Sequence, residues 1–374
     1  MTTISTTLAE VIGSAELLVT CGPGGVGKTT TAAALGLAAA RAGRRVVVVT
    51  IDPARRLADA LGIEGVTDEP HLVASATRGA PTKDGSFSAL MLDAERTFNR
   101  LIVDKAGDRA EAVLANPIYR SIAGSLGGAQ EYMAIERLHE LVTSGMYDLV
   151  VIDTPPSRHA IDVLNAPDRL ISFLSHPVYR ALTIPSRSFA KVTNAATTAF
   201  LWTVKRLAGP SIVEDTVEFF RSISGMEAGL RERAAEVGAL LRSDRAAFVL
   251  VSSPRAEAID ESIFMATALN DGGFHLSAVV VNLVHPLPEP LSATLIARAG
   301  SPTDDPALTE QLEYHRELRA LAVAERQEIE SLVAAVPAVV AVTQVPLLDH
   351  DVHDVAALND VGRLLGLGEL ARKR

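Results

Sequence analysis

The run Leu17-Leu18-Val19-Thr20-Cys21-Gly22-Pro23-Gly24-Gly25-Val26-Gly27-Lys28-Thr29-Thr30 decides how the rest of the chain is read. It opens as a short apolar stretch and passes into an alanine-rich helical segment, Thr31 to Arg41. Between them lies Gly22-x-x-x-x-Gly27-Lys28-Thr29, the spacing of a phosphate-binding loop. Glycines let the backbone curl so that successive N–H groups face phosphate oxygens. The helix that follows adds its unpaired N-terminal N–H groups and the positive end of its dipole. Gly22, Gly24, Gly25, Val26, Gly27, Lys28, Thr29 and Thr30 therefore form the candidate nucleotide-binding set. Lys28 can reach the β- and γ-phosphates, and Thr29 offers a hydroxyl to Mg²⁺. Lys28 is expected on the solvent side of the site, as a phosphate ligand and not a core residue. A strand before the loop and a helix after it separate this pattern from a plain glycine-rich turn.

The 374 residues are 48% hydrophobic, enough for a large core, and the net charge is −10. That balance argues against nucleic acid as a partner, which calls for a basic face. Cys21 is the only cysteine, which excludes a disulfide framework and a cysteine-rich zinc site within one chain. Residues 1–15 lack a basic start followed by an apolar core, so no signal peptide is read there and the cytoplasm is the expected compartment. The longest uncharged run, Ser331 to Leu348, is broken by Pro337 and Pro346. It reads as a helix end and a buried strand, so the chain is not expected to be transmembrane itself.

Working outward, Arg45 leads into Val46-Val47-Val48-Val49-Thr50, a continuous apolar run of the kind a parallel strand buried on both faces requires. Ser88 to Asp93 reads as a further strand, and Leu149 to Asp153 as another, ending in a carboxylate. From Arg158 to about Asp244 the pattern is helical throughout, with kinks expected at Pro167, Pro177, Pro185 and Pro210. Strands at Ala246 to Val251, Leu276 to Asn282 and Ala338 to Thr343 then alternate with helices. One of these is a long helix between about Pro306 and Ala335, and a last helix follows His353. The expectation is an α/β fold with a doubly wound, mostly parallel sheet. Residues 1–374 would form one domain, with an α-helical subdomain at about 164–245 inserted within it.

Asp153, at the end of its strand, is placed to hold Mg²⁺ together with Thr29. Asp52 follows the second strand and is held extended by Pro53. It fits two roles, orienting the water that attacks the γ-phosphate or capping the next helix. Asn282, at the end of Val279-Val280-Val281, either reads the adenine edge or caps the strand. His350-Asp351-Val352-His353-Asp354 lacks a complete ligand set, and Asp351 is placed to cap the last helix. Phe200, Leu201 and Trp202, with Phe219, Phe220, Ile223 and Met226, either pack insert helices together or line an apolar groove for a hydrophobic client.

Together these motifs resemble the ArsA-type ATPases, which include the arsenite-pump ATPase and the cytosolic factor that targets tail-anchored membrane proteins. Gly22 to Thr30 resembles their deviant Walker A. Thr50-Ile51-Asp52-Pro53-Ala54 looks like switch I, and Asp153-Thr154-Pro155-Pro156-Ser157-Arg158-His159 like switch II with the Walker B aspartate at its head. Val281-Asn282 and Val345-Pro346-Leu347-Leu348 resemble the two adenine-side segments, which adds Pro346 and Leu347 to the nucleotide set. The resemblance implies Mg²⁺ and ATP as cofactors, held between two subunits. It also implies hydrolysis with Asp52 on the water and Lys28 on the phosphates, and a helical insert, placed after switch II, that rearranges with nucleotide state. The output would be handling of a hydrophobic protein client or a membrane partner, in the cytoplasm or peripherally at the membrane. Energising anion or metalloid export is one alternative, and a slow nucleotide-gated scaffold or regulatory subunit another. The family's loop carries a second lysine where this chain has Pro23. A homodimer would lack that lysine at both sites, whereas a heterodimer with a lysine-bearing paralogue would supply it. Arg55 and Arg158 stand in the switch segments as internal substitutes.

Overall fold

The computed structural model describes residues 7–51, 56–63, 66–80, 82, 84–107, 110–116, 129–176, 227–292 and 306–368. The apolar runs of the sequence become one sheet. Its strands are β1 (Leu17–Cys21), β2 (Arg45–Thr50), β3 (His71–Leu72), β4 (Ser86–Met91), β5 (Leu149–Asp153), β6 (Ala246–Ser252), β7 (Leu276–Val284) and β8 (Ala341–Pro346). They lie in the order β3-β4-β2-β5-β1-β6-β7-β8. Every pairing is parallel except that of β3 with β4, which is antiparallel.

The valine- and leucine-rich strands are apolar on both faces because both faces are covered. Leu18, Val46, Val48, Val151 and Val249 point to one layer, formed with α1 (Leu8–Ser14), α2 (Lys28–Arg41), α3 (Arg56–Leu61) and α12 (Val355–Leu364). Their neighbours Val19, Val47, Val49, Val150, Phe248 and Leu250 point to the other. That second layer contains α6 (Ala129–Thr143), α7 (Ser157–Leu164), α9 (Glu227–Leu241), α10 (Ala256–Asp271) and α11 (Pro306–Ala335). The period of two along each strand thus feeds two cores, the doubly wound arrangement.

A third, smaller core gathers Leu101 and Ile102 of α4 (Ala94–Ala106), Val113 of α5 (Ala110–Ala115), Met133 of α6, Leu174 of α8 (Ala166–Ser175) and Leu230 of α9. Helices α8 and α9 are the described ends of the expected insert. They pack with α4, α5 and α6, which precede β5, so the helical layer draws on more than the segment after switch II. The Arg233 Nε–H of α9 is shared between the two carboxylate oxygens of Glu136 of α6, at 2.8 and 3.0 Å, and joins the two segments. Trp202, Phe200, Leu201, Phe219, Phe220, Ile223 and Met226 lie outside the described residues.

Several local expectations are corrected. Helix α1 was not anticipated, although Thr7 and Glu10 form its capping box. Asp354, not Asp351, caps α12 by accepting from the Ala357 N–H at 2.7 Å. Strand β8 begins three residues later than the sequence pattern implies, because 338–340 form a turn. At the amino-terminal ends of the strands, the Arg44 guanidinium donates to the carbonyls of Ile12 (2.5 Å), Ala15 (2.6 Å) and Asp148. No helix among the described residues is long and apolar enough to cross a membrane.

Candidate nucleotide site

The carboxyl ends of β1, β2 and β5 finish level, with Thr20 and Thr50 both in register with Asp153. The loop 22–27 leaves β1 there and enters α2. Gly22 has φ +141°, and a Cβ on it would stand 2.0 Å from the Val251 carbonyl oxygen of β6. Only glycine lets the loop turn that close to the neighbouring strand. Gly27 ends the loop in the left-handed region at φ +88° and ψ +28°, as the N-cap of α2. The side chain of Thr29, in the first turn of α2, donates to Asp153 Oδ2 at 2.7 Å. Thr50 donates to the same oxygen at 3.0 Å. Asp153 is 1% exposed. Two hydroxyls and a carboxylate thus meet at a helix N-terminus. These hard oxygen donors suit Mg²⁺, which takes one or two protein ligands and leaves the rest to phosphate and water. Among the described residues no group of three or more His, Cys, Asp or Glu is arranged to hold a metal ion. His350 pairs with Asp349, and His353 with the Asp351 carbonyl.

Lys28 departs from expectation. It is buried at 7% exposure, and its Nζ donates to the Pro23 carbonyl oxygen at 2.6 Å. The ammonium lies inside its own loop because the loop carbonyl solvates it there. Pro23 is itself buried, and Gly24 and Gly25 form the exposed crest of the loop. Cys21, beneath the loop, is fully buried, and burial pushes its thiol up to about 12.

Strand β7 reaches the far end of the loop. Asn282 Nδ2 donates to the Val26 carbonyl at 3.0 Å, and a Cβ on Gly27 would come within 2.4 Å of that nitrogen. Next to it Leu283 has φ +63°, the one non-glycine residue with positive φ among those described. Such a leucine costs roughly 1–3 kcal/mol. The strain coincides with a register shift against β8 between Val281 and Val284. The ladder resumes where the Leu347 N–H donates to the Val284 carbonyl at 2.9 Å. Pro346 and Leu347, both exposed, therefore end level with this bulge.

Asp52, Pro53 and Arg55 lie outside the described residues, and of Arg158 only the backbone, in α7, is described. Ile51, the last described residue before Asp52, donates its N–H to the Asp153 carbonyl at 3.1 Å. Sequence reasoning placed Thr50 at the head of the switch I segment without a role of its own, and did not single out Leu283. A threonine closing an all-valine strand was the available signal for Thr50. Leu283 carried none.

A parallel sheet with a phosphate-binding loop after its central strand, and a carboxylate ending the adjacent one, defines a P-loop nucleoside triphosphatase. Within that class the chain belongs to the ArsA family of anion-transporting ATPases, whose family model matches residues 15–300, and it is an ATPase. It is 26% identical to the ATPase get3 of Pyrenophora tritici-repentis over 70% of this chain and 71% of that protein. It is 26% identical to the ATPase get3 of Aspergillus niger, over 74% and 75%. With the ATPase GET3 of Phaeosphaeria nodorum it shares 28%, over 70% and 74%.

Proposed function

We propose that the chain is a Mg²⁺-dependent dimeric ATPase whose nucleotide state is passed to the helices flanking 177–226, and that it uses this change to handle a hydrophobic protein client or membrane partner. The observation that supports the chemistry best is the meeting of Thr29 and Asp153 at 2.7 Å at the N-terminus of α2. The loop amides from Gly22 to Thr30 would cradle the phosphates, and Lys28 would leave the Pro23 carbonyl for the γ-phosphate. Thr29 and Asp153 would hold Mg²⁺, which supplies charge neutralisation at the phosphates. Asp52 would orient the attacking water, and Asn282, Pro346 and Leu347 would border the base. The route to the helical layer runs from β5 into α7 and α8, and across the Glu136–Arg233 pair from α6 to α9.

The family description favours a second reading, in which hydrolysis energises anion export. Metalloid capture by thiolates does not suit this chain, whose single cysteine is buried with its thiol pushed up to about 12. Pro23 bears on the partner. A proline has neither a charge nor an N–H to offer another subunit's nucleotide. Pairing with a lysine-bearing paralogue is therefore favoured over a fully active homodimer.

Calorimetry tests the site. Wild type should bind ATP more tightly with Mg²⁺ than with EDTA, and Asp153→Asn should bind equally in both. An Asp153→Asn chain with the full Mg²⁺ effect would remove the assignment. Client and paralogue are tested by native co-purification. Recovery of neither, together with robust hydrolysis by the isolated chain that Pro23→Lys leaves unchanged, would overturn that part.

A further inference from the structure

The segment that follows the strained Leu283 is held by a helix remote in sequence. Glu325 of α11 is 6% exposed. Its Oε2 accepts the backbone N–H of His285 at 2.9 Å, and its Oε1 lies 2.6 Å from His285 Nδ1. Both oxygens of one buried carboxylate are thus spent on a single residue, two positions after the strained leucine. Two further side chains of α11 hold the same run. Arg319 donates to the Pro288 carbonyl, and His315 Nε2 lies 3.0 Å from the Glu289 carbonyl. On the other side of the bulge, β7 is fixed to β6 as far as Val281, opposite Ser252.

Leu283 does not choose a left-handed conformation by itself, and such a residue persists only when its surroundings over-determine it. Here the β6 ladder fixes the residues before it, and Glu325 with Leu347 fixes those after it. The residue before Leu283, Asn282, lies against the Val26 carbonyl. We infer that Glu325 is a positioning residue for the base side of the nucleotide site. It acts through His285 and Leu283 to hold Asn282 where one amide hydrogen binds the loop and the remaining amide groups face the nucleobase. This rests on the reading that Asn282 borders the base. It adds a residue of the long helix, far from the loop in sequence, to those that set base preference.

The test compares Mg²⁺ complexes of ATP, GTP and inorganic tripolyphosphate, which has no base, by calorimetry on the full chain. Glu325→Ala should weaken ATP about tenfold, as expected when a charge-assisted hydrogen bond is lost. It should shrink the ATP-over-GTP preference in proportion and leave tripolyphosphate unchanged. Glu325→Gln keeps one acceptor for the His285 N–H and should retain most of the preference. It also serves if the alanine variant does not fold. In Asn282→Ala, further removal of Glu325 should change nothing, because the route is already cut. Equal weakening of ATP and tripolyphosphate, or a Glu325→Ala chain with wild-type preference beside an altered Asn282→Ala chain, overturns the inference alone. An Asn282→Ala chain with unaltered preference removes the base-side reading, and the inference with it.

Discussion

Replacing Gly27 by alanine should uncouple nucleotide binding from folding, by an amount the structure lets one work out. At φ +88° an L residue carries the left-handed penalty, about 1–2 kcal/mol. The new methyl would also stand 2.4 Å from Asn282 Nδ2, so the amide must swing away from the Val26 carbonyl. That forfeits a hydrogen bond contributing about 1 kcal/mol. The total, about 2–3 kcal/mol, is a fraction of a typical domain's 5–15 kcal/mol, so the variant should fold. Asn282→Ala alone should cost only the hydrogen bond. Because both single variants lose the same bond, the double variant should be about as stable as Gly27→Ala. The cycle then closes with a coupling of about 1 kcal/mol. Urea unfolding of the four chains measures it, and calorimetry should show ATP affinity collapsing in Gly27→Ala. Additive stabilities, or an alanine variant that binds ATP like wild type, would refute the geometry on which the reasoning stands.

Three further outcomes are expected. Asp52→Asn should bind ATP normally and hydrolyse it about 10²–10⁴-fold more slowly in a single turnover; an unchanged rate would leave Asp52 a helix cap. Arg233→Leu removes the cation facing Glu136, whose side chain is 9% exposed and keeps the Tyr132 hydroxyl as a donor, and should cost about 3 kcal/mol, the low end for a broken buried pair. Thermal unfolding checks this, and adding Glu136→Leu should recover much of the loss; a single variant as stable as wild type would deny the pair its role. At the base of the sheet, hydrogen bonds from Arg45 hold the Asp148 carboxyl below its ordinary value. A lowered folded-state value stabilises above the unfolded carboxylate range and is lost as pH falls through the folded one. Arg45→Gln should therefore melt lower than wild type at pH 7, with the gap narrowing as pH falls below the ordinary aspartate value of about 3.9. A gap that does not narrow would assign the effect of Arg45 to its hydrogen bond with the Gly145 carbonyl and to packing, not to Asp148.

The sheet was legible because burial on both faces leaves uninterrupted valine and leucine runs, and the loop because its glycine spacing has one dominant geometric use. Asp153 and Thr29, far apart in sequence, were paired in advance by that geometry. Lys28 was misjudged because its reach toward phosphate was read as exposure, whereas the Pro23 carbonyl holds it inside the loop. The hold of Glu325 on His285 was not legible, since nothing local to either residue marks a contact across 40 positions. The bulge at Leu283 was hidden for a related reason. A strained leucine looks like any strand leucine until its neighbours on both sides are fixed. Asp351 was chosen as a cap by proximity, and Asp354 won because its position places the side chain beneath the Ala357 N–H.

The burial of Cys21 has a practical side. Burial pushes its thiol up to about 12, which disfavours the reactive thiolate at pH 7, and the sulfur is fully covered. The native chain therefore behaves toward maleimides as if it had no cysteine. A single cysteine introduced at an exposed position, such as Tyr314 on α11 or Phe173 on α8, would be the sole labelling point without any prior cysteine removal. Paired dyes at those two places would turn the separation of the long helix from the helical layer into a fluorescence signal, read as ATP is added and consumed.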